Sequence, residues 1–221
     1  YSLDNYFMKH YVITIFDNEK SQSVAERCIK SGRSIGKLDI EKFKAITPND
    51  DLDKIIKSEK INIAAMNEVY SRTSNCIAAF ISHYRLWKYS VETNQEITIF
   101  EHDAVCVNTI PTLINYKGAV SLGMPSYGKY HTPNSLGVNS LTSKPYFPGA
   151  HAYRVKPAAA QLFIDQARME ARPTDVFLNR NTFPFLEEYF PWPVEAKDSF
   201  TTIQSERGCT AKHNKVEIID V

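Results

Sequence analysis

Glu101, His102 and Asp103 follow directly on the strand-forming run Ile97-Thr98-Ile99-Phe100, and they are the residues in this chain best placed to do chemistry. Burying an unpaired charge costs several kcal/mol, so two carboxylates at the end of an apolar run either face water or hold something cationic. Three readings follow. The hard oxygens of Glu101 and Asp103 suit Mg²⁺ or Mn²⁺, with coordination positions left for substrate phosphates. On a strand, residues two apart point the same way, so both carboxylates would reach one ion while His102 points elsewhere. The same pair could serve as acid and base without metal, or the triplet could be a solvated strand end or helix cap.

The surrounding elements decide whether these residues are displayed. Tyr11 to Phe16 reads as a first strand closed by Asp17-Asn18, and Ser23 to Lys30 reads as a short helix closed by Ser31-Gly32. Lys42 to Ile46 is expected to be a second strand, and Thr47-Pro48-Asn49-Asp50 a turn or helix start. Between Thr73 and Val91 the residues Ile77, Phe80, Ile81, Tyr84, Trp87 and Val91 recur at steps of three and four, one stripe of an amphipathic helix that Thr93-Asn94 ends. Gln95 to Phe100 is then a strand. Strand, helix and strand in this order imply an α/β sheet, in which ligands gather beyond the carboxyl ends of strands.

Further along, Gly118 to Leu122 and Ala150 to Val155 read as strands, and Lys156-Pro157-Ala158 opens a helix whose apolar side carries Ala160, Phe163, Ile164 and Ala167. Residues 123–149 show little periodicity and form a candidate substrate loop. Thr174-Asp175 precedes a helical run through Phe177 and Leu178. The segment 183–221 reads as irregular, with aromatic and proline-rich packing at Phe183 to Pro193 and a basic tail near Cys209 to Lys215.

Composition excludes several classes. The chain has 221 residues with 26 Lys plus Arg against 25 Asp plus Glu, so no overall field marks a general binder of nucleic acid or membrane surface. Its four cysteines are scattered, without C-x-x-C pairs, as expected for thiols in a reducing compartment. No run approaches a membrane span, and YSLDNYFMKH lacks the regions of a signal peptide; the expectation is a cytoplasmic protein, or one of the host cytoplasm if viral.

The segment from Ala78 to Trp87 (AAFISHYRLW), followed by Ile97 to Ala104 (ITIFEHDA), resembles glycosyltransferase family 25, whose members show a Ser-His helix and then a strand ending in Glu-Asp-Asp. Tyr11 to Asp17 is similar to the family's opening strand and Asp-containing loop, and Phe43 to Ile46 to its Phe-x-Ala segment. Gly149 to Tyr153 and Thr174 to Leu178 resemble two later motifs, so the likeness runs from about Tyr11 to about Leu178. His102 departs from the pattern by standing where the family has an acid. The Arg usual after the first strand has no match in Asn18 to Ser23, where Arg27 could compensate from one turn on.

The resemblance implies one α/β, GT-A-like (Rossmann-like) domain over residues 1–221, with a mixed central sheet flanked by helices. It implies inverting, metal-dependent transfer of a sugar from a nucleotide-sugar donor, with UDP as the expected nucleotide, to a hydroxyl of a saccharide, a protein or a modified DNA base. Under it, Asp103 and Glu101 hold Mn²⁺ or Mg²⁺, and Asp175 is the base. Glu101, His102, Ser82, His83, Thr14, Phe16 and His151 contact donor or acceptor. A catalytically inactive relative that binds a glycan or a nucleotide sugar is the alternative. Salt-dependent DNA binding through Tyr127 to His131 and Ala211 to Lys215 would mark the modified-base acceptor.

Overall fold

The computed structural model describes residues 8–66 and 72–197; the basic tail that includes Cys209 and Ala211 to Lys215 lies outside them. The elements in order are β1 (Lys9–Thr14), α1 (Glu19–Ser31), a π-helical turn (Gly32–Gly36), β2 (Ile40–Lys44), α2 (Leu52–Glu59) and α3 (Thr73–Thr93). They continue with β3 (Ile97–Glu101), β4 (Ala104–Cys106), β5 (Ala119–Ser121), β6 (Gly137–Ser140), β7 (Ala152–Val155), α4 (Pro157–Glu170), α5 (Thr174–Phe177), β8 (Glu187–Phe190) and β9 (Val194–Ala196).

Seven strands form a mixed sheet in the order β2-β1-β3-β7-β5-β8-β6, and β4 pairs with β9 in a separate two-stranded ribbon. β1 runs parallel to both β2 and β3, while β7 is antiparallel to β3 and β5. Helices cover both faces. On one, α3 and α4 pack Phe80, Ile81, Tyr84, Trp87, Phe163 and Ala167 against Ile97, Ile99 and Val155; on the other, Ala25 and Cys28 of α1 meet Val12, Phe100 and Leu122. This is the α/β architecture that the strand and helix pattern implies, with the mixed sheet that the family resemblance implies.

Local chemistry accounts for the element ends. Asn18 caps α1 by accepting from the Ser21 N–H, and Asn94 closes α3 in the left-handed conformation at φ 52°. Lys156 precedes Pro157, which starts α4 at the position where its missing N–H has no intrahelical partner to lose.

Two expectations need correction. Residues 123–149 are not wholly irregular, because β6 lies within them; and 183–193 contains β8, which joins β5 in parallel and β6 in antiparallel. Both strands are four residues long, and Gly137-Val138-Asn139-Ser140 has no apolar alternation to reveal it. Their pairing is carried by backbone bonds and by buried Glu188, whose carboxylate accepts from the N–H and hydroxyl of Ser143 and so pins the far end of the long loop.

Candidate functional site

β1 lies between β2 and β3, and the chain reverses its direction of sheet growth there, the place where open α/β sheets leave a crevice. A cleft of about 340 Å³ opens at that point. Its floor and rim come from the segments just past the carboxyl ends of three parallel strands: Asp17 and Asn18 after β1, Ala45 to Asn49 after β2, and Glu101, His102 and Asp103 at the end of β3. Its remaining wall is α3, which presents Asn75, Ala78, Ala79, Ser82 and His83. These residues form a second stripe at steps of three and four, beside the apolar one. Small and polar side chains there let a ligand approach the helix, a signal legible beforehand in the spacing.

Glu101 is the last residue of β3, and His102 and Asp103 turn the chain into β4. The alternation expected of a strand therefore does not reach Asp103, so standing two apart does not by itself point both carboxylates the same way. The cleft itself brings them together. Glu101 Oε1 lies 3.1 Å from His83 Nε2. Burial, and then the nearby Asp175 carboxylate, push the Glu101 carboxyl up to about 8, while burial takes His83 down to about 3. Between those values the contact joins two neutral groups and is not an ion pair.

His102 is tied from the opposite side. The Ser21 hydroxyl accepts from the Ile15 N–H at 2.9 Å and lies 2.8 Å from His102 Nδ1. The imidazole is held down at about 4, first by burial and then by the Arg27 guanidinium. Arg27 thus comes close to the end of β3 from α1, as the missing loop arginine invites.

Ser82 uses its hydroxyl within the protein, donating to the Ala78 carbonyl and accepting from the Ile46 N–H, both at 2.9 Å, which fastens α3 to the segment after β2. Thr14 is buried with its hydroxyl on the Val12 carbonyl; the cleft is lined by its neighbours Ile13 and Ile15 instead. Phe16 is 47% exposed and also stands outside the lining. His151 is buried between Gly123 and Gly149, so tightly that a Cβ on Gly123 would meet Nε2 at 2.4 Å. Its link to the site is through the backbone, where its carbonyl accepts from the Glu101 N–H.

Asp175, on the single turn of α5, is brought within electrostatic reach of Glu101 from the other half of the chain. It accepts from Tyr127 Oη at 2.5 Å and from the Val176 N–H at 2.9 Å. Burial raises its pKa, and bonds from Tyr127, Val176 and Gly149 work against that rise. Gly149 reaches this position at φ +86°, in the region that favours glycine. The contact of Tyr127 with Asp175 is one that sequence spacing does not reveal. Tyr127 belongs to the aperiodic loop, where Lys144 Nζ lies over its ring at 4.8 Å.

Among the described residues no group of three or more His, Cys, Asp and Glu side chains is arranged to hold a metal ion. Asp103 and Glu101 supply two hard oxygen donors on one cleft. Mg²⁺ characteristically takes one or two carboxylates and completes its shell with water and substrate phosphates, so the donor set fits an ion shared with a phosphorylated ligand and not a closed protein cage.

A family model described as glycosyltransferase family 25 (LPS biosynthesis protein) matches residues 7–119, which hold β1 to β4 and every residue that lines the cleft. No curated protein matches the chain.

Proposed function

The chain belongs to glycosyltransferase family 25 and is a glycosyltransferase, and from that premise we propose that it moves a sugar, with inversion, from a UDP-sugar in the 340 Å³ cleft to an acceptor hydroxyl. The observation that carries this reading is the convergence of three strand ends and the small-residue face of α3 on one crevice rimmed by Glu101 and Asp103. In this reading the domain is of the GT-A type.

The acceptor oxygen attacks the anomeric carbon as the bond from that carbon to the diphosphate breaks. Its proton passes to Asp175, and the negative charge of the diphosphate is released toward the β3 end. Asp103 and Glu101 would hold a divalent cation, Mn²⁺ or Mg²⁺, which when bound neutralises that charge. His102 brings further polarity to the same rim, with the Arg27 guanidinium close to it. Ser82 and His83 act by shaping the α3 wall, since their polar atoms are engaged by the protein. The acceptor hydroxyl belongs to a saccharide, a protein side chain or a modified base.

The test is a screen of nucleotide sugars with Mn²⁺ by thermal shift, followed by a turnover assay on the donor that stabilises the chain. Asp103→Ala should abolish transfer with the melting temperature retained; a fully active variant would sink the metal assignment. His102, standing in place of an acid and engaged by Ser21, favours one second reading, a relative that binds the donor without turnover. Calorimetric binding of UDP-sugar with no UDP released would establish that reading instead.

A further inference from the structure

The α3 stripe contains a buried chain of polar contacts whose direction can be deduced. The indole N–H of Trp87 can only donate, and it lies 2.9 Å from Tyr153 Oη. That oxygen must accept there, so its own O–H is available for the next polar atom, His83 Nδ1, at 2.8 Å. Were Nδ1 protonated, the tyrosine oxygen would accept twice and its O–H would lack a partner in an apolar core, at the full desolvation cost of that group. Nδ1 is therefore the acceptor. The imidazole carries its proton on Nε2 and donates it to Glu101 Oε1. Trp87, Tyr153 and His83 are at most 1% exposed, so water does not replace these bonds.

Ring packing holds the chain in register. Tyr153 and His83 stack with planes 9° apart, and the Trp87 indole stacks at 5.6 Å on Phe177, two residues past Asp175. Trp87 thus touches the supports of both carboxylates.

We propose that Trp87 and Tyr153 are positioning residues, which set the tautomer of His83 and through it aim the Glu101 carboxylate into the cleft. This rests on the glycosyltransferase reading of that cleft. Without the tyrosine O–H, His83 is free to place its proton on Nδ1 and turn a lone pair toward Glu101.

The experiment uses the full chain, Tyr153→Phe and His83→Gln. Long-range ¹H–¹⁵N spectra of the wild type should show His83 with a bare Nδ1 and a protonated Nε2, and Tyr153→Phe should shift that population toward the other tautomer. Its kcat should fall about ten- to a hundredfold, the range for outer-shell partners, with the donor KM within about twofold. In the His83→Gln background, where the amide donates to Glu101 whatever stands at 153, adding Tyr153→Phe should change kcat by less than about twofold. Protonated Nδ1 in the wild type, an unchanged kcat in Tyr153→Phe, or additive losses in the double variant would each overturn the proposal. A wild type that transfers no sugar from any donor overturns the functional reading first and the positioning role with it. A transferring wild type with an equally active Tyr153→Phe overturns the positioning role alone.

Discussion

Glu101 and Asp175 are both carboxyl groups raised by burial and near enough to interact, Glu101 lining the cleft and Asp175 outside its lining, yet the two regions that hold them treat charge differently. At the end of β3, Glu101 meets one neutral donor from His83 and is raised to about 8 by burial and by Asp175. On α5, Asp175 is also raised by burial, but Tyr127, Val176 and Gly149 hydrogen-bond to its charged form and oppose the rise. Burial favours the neutral acid, whereas donors aimed at the carboxylate favour its charged form. Two carboxyls in contrasting surroundings take contrasting roles. In the proposed mechanism Asp175 is the group that accepts a proton, and Glu101 would give up its own to a bound cation.

The largest effect should come from removing the proposed base. Asp175→Asn keeps the shape of the side chain and eliminates the base, so transfer should fall about 10³-fold, within the range of general-base contributions. Initial-rate assays at saturating donor check this, and a loss below about fivefold would erase the contrast between the two carboxyls.

Tyr127→Phe takes away a single donor. Asp175 loses one of the bonds that support its charge, and kcat should drop about tenfold, as for one hydrogen bond to a charged group. The melting temperature should stay close to that of the wild type. Unchanged kinetics would mean that the loop carrying Tyr127 touches Asp175 without tuning it.

The smallest effect concerns stability and pH. In the folded chain the Glu101 carboxyl lies at about 8, above its ordinary 4.5, so the folded state retains a proton that the unfolded state releases between those values. Stability from this group is complete below about pH 4.5 and is lost as pH rises through about 8. Glu101→Gln mimics the protonated form. In EDTA its melting temperature should match the wild type at about pH 5 and exceed it by many degrees near pH 8.5, at about 2–4 °C per kcal/mol for a domain of this size. Thermal melts across the range test it; a constant difference would show that the Glu101 carboxyl is not raised in the folded chain.

By itself the sequence determined the parts of this molecule whose signal is local. Steps of three and four mark α3 from Thr73, β-branched runs mark β1 and β3, and Glu101-His102-Asp103 stands out because charges directly follow an apolar strand. Such signals survive because a residue's face is set by neighbours within one turn or two positions along the chain. Tertiary structure alone decided which of those residues meet. β3 is bonded to β7 and β5 to β8, strands far apart in the chain, and only that order carries Tyr153 to His83 and brings Tyr127 and Asp175 to the Glu101 side of the sheet. The same packing takes Thr14 away from the cleft and fastens His102 to Ser21. No periodicity encodes these contacts, because they arise from the docking of whole elements, in which a shift of one residue in register would turn each side chain to the opposite face.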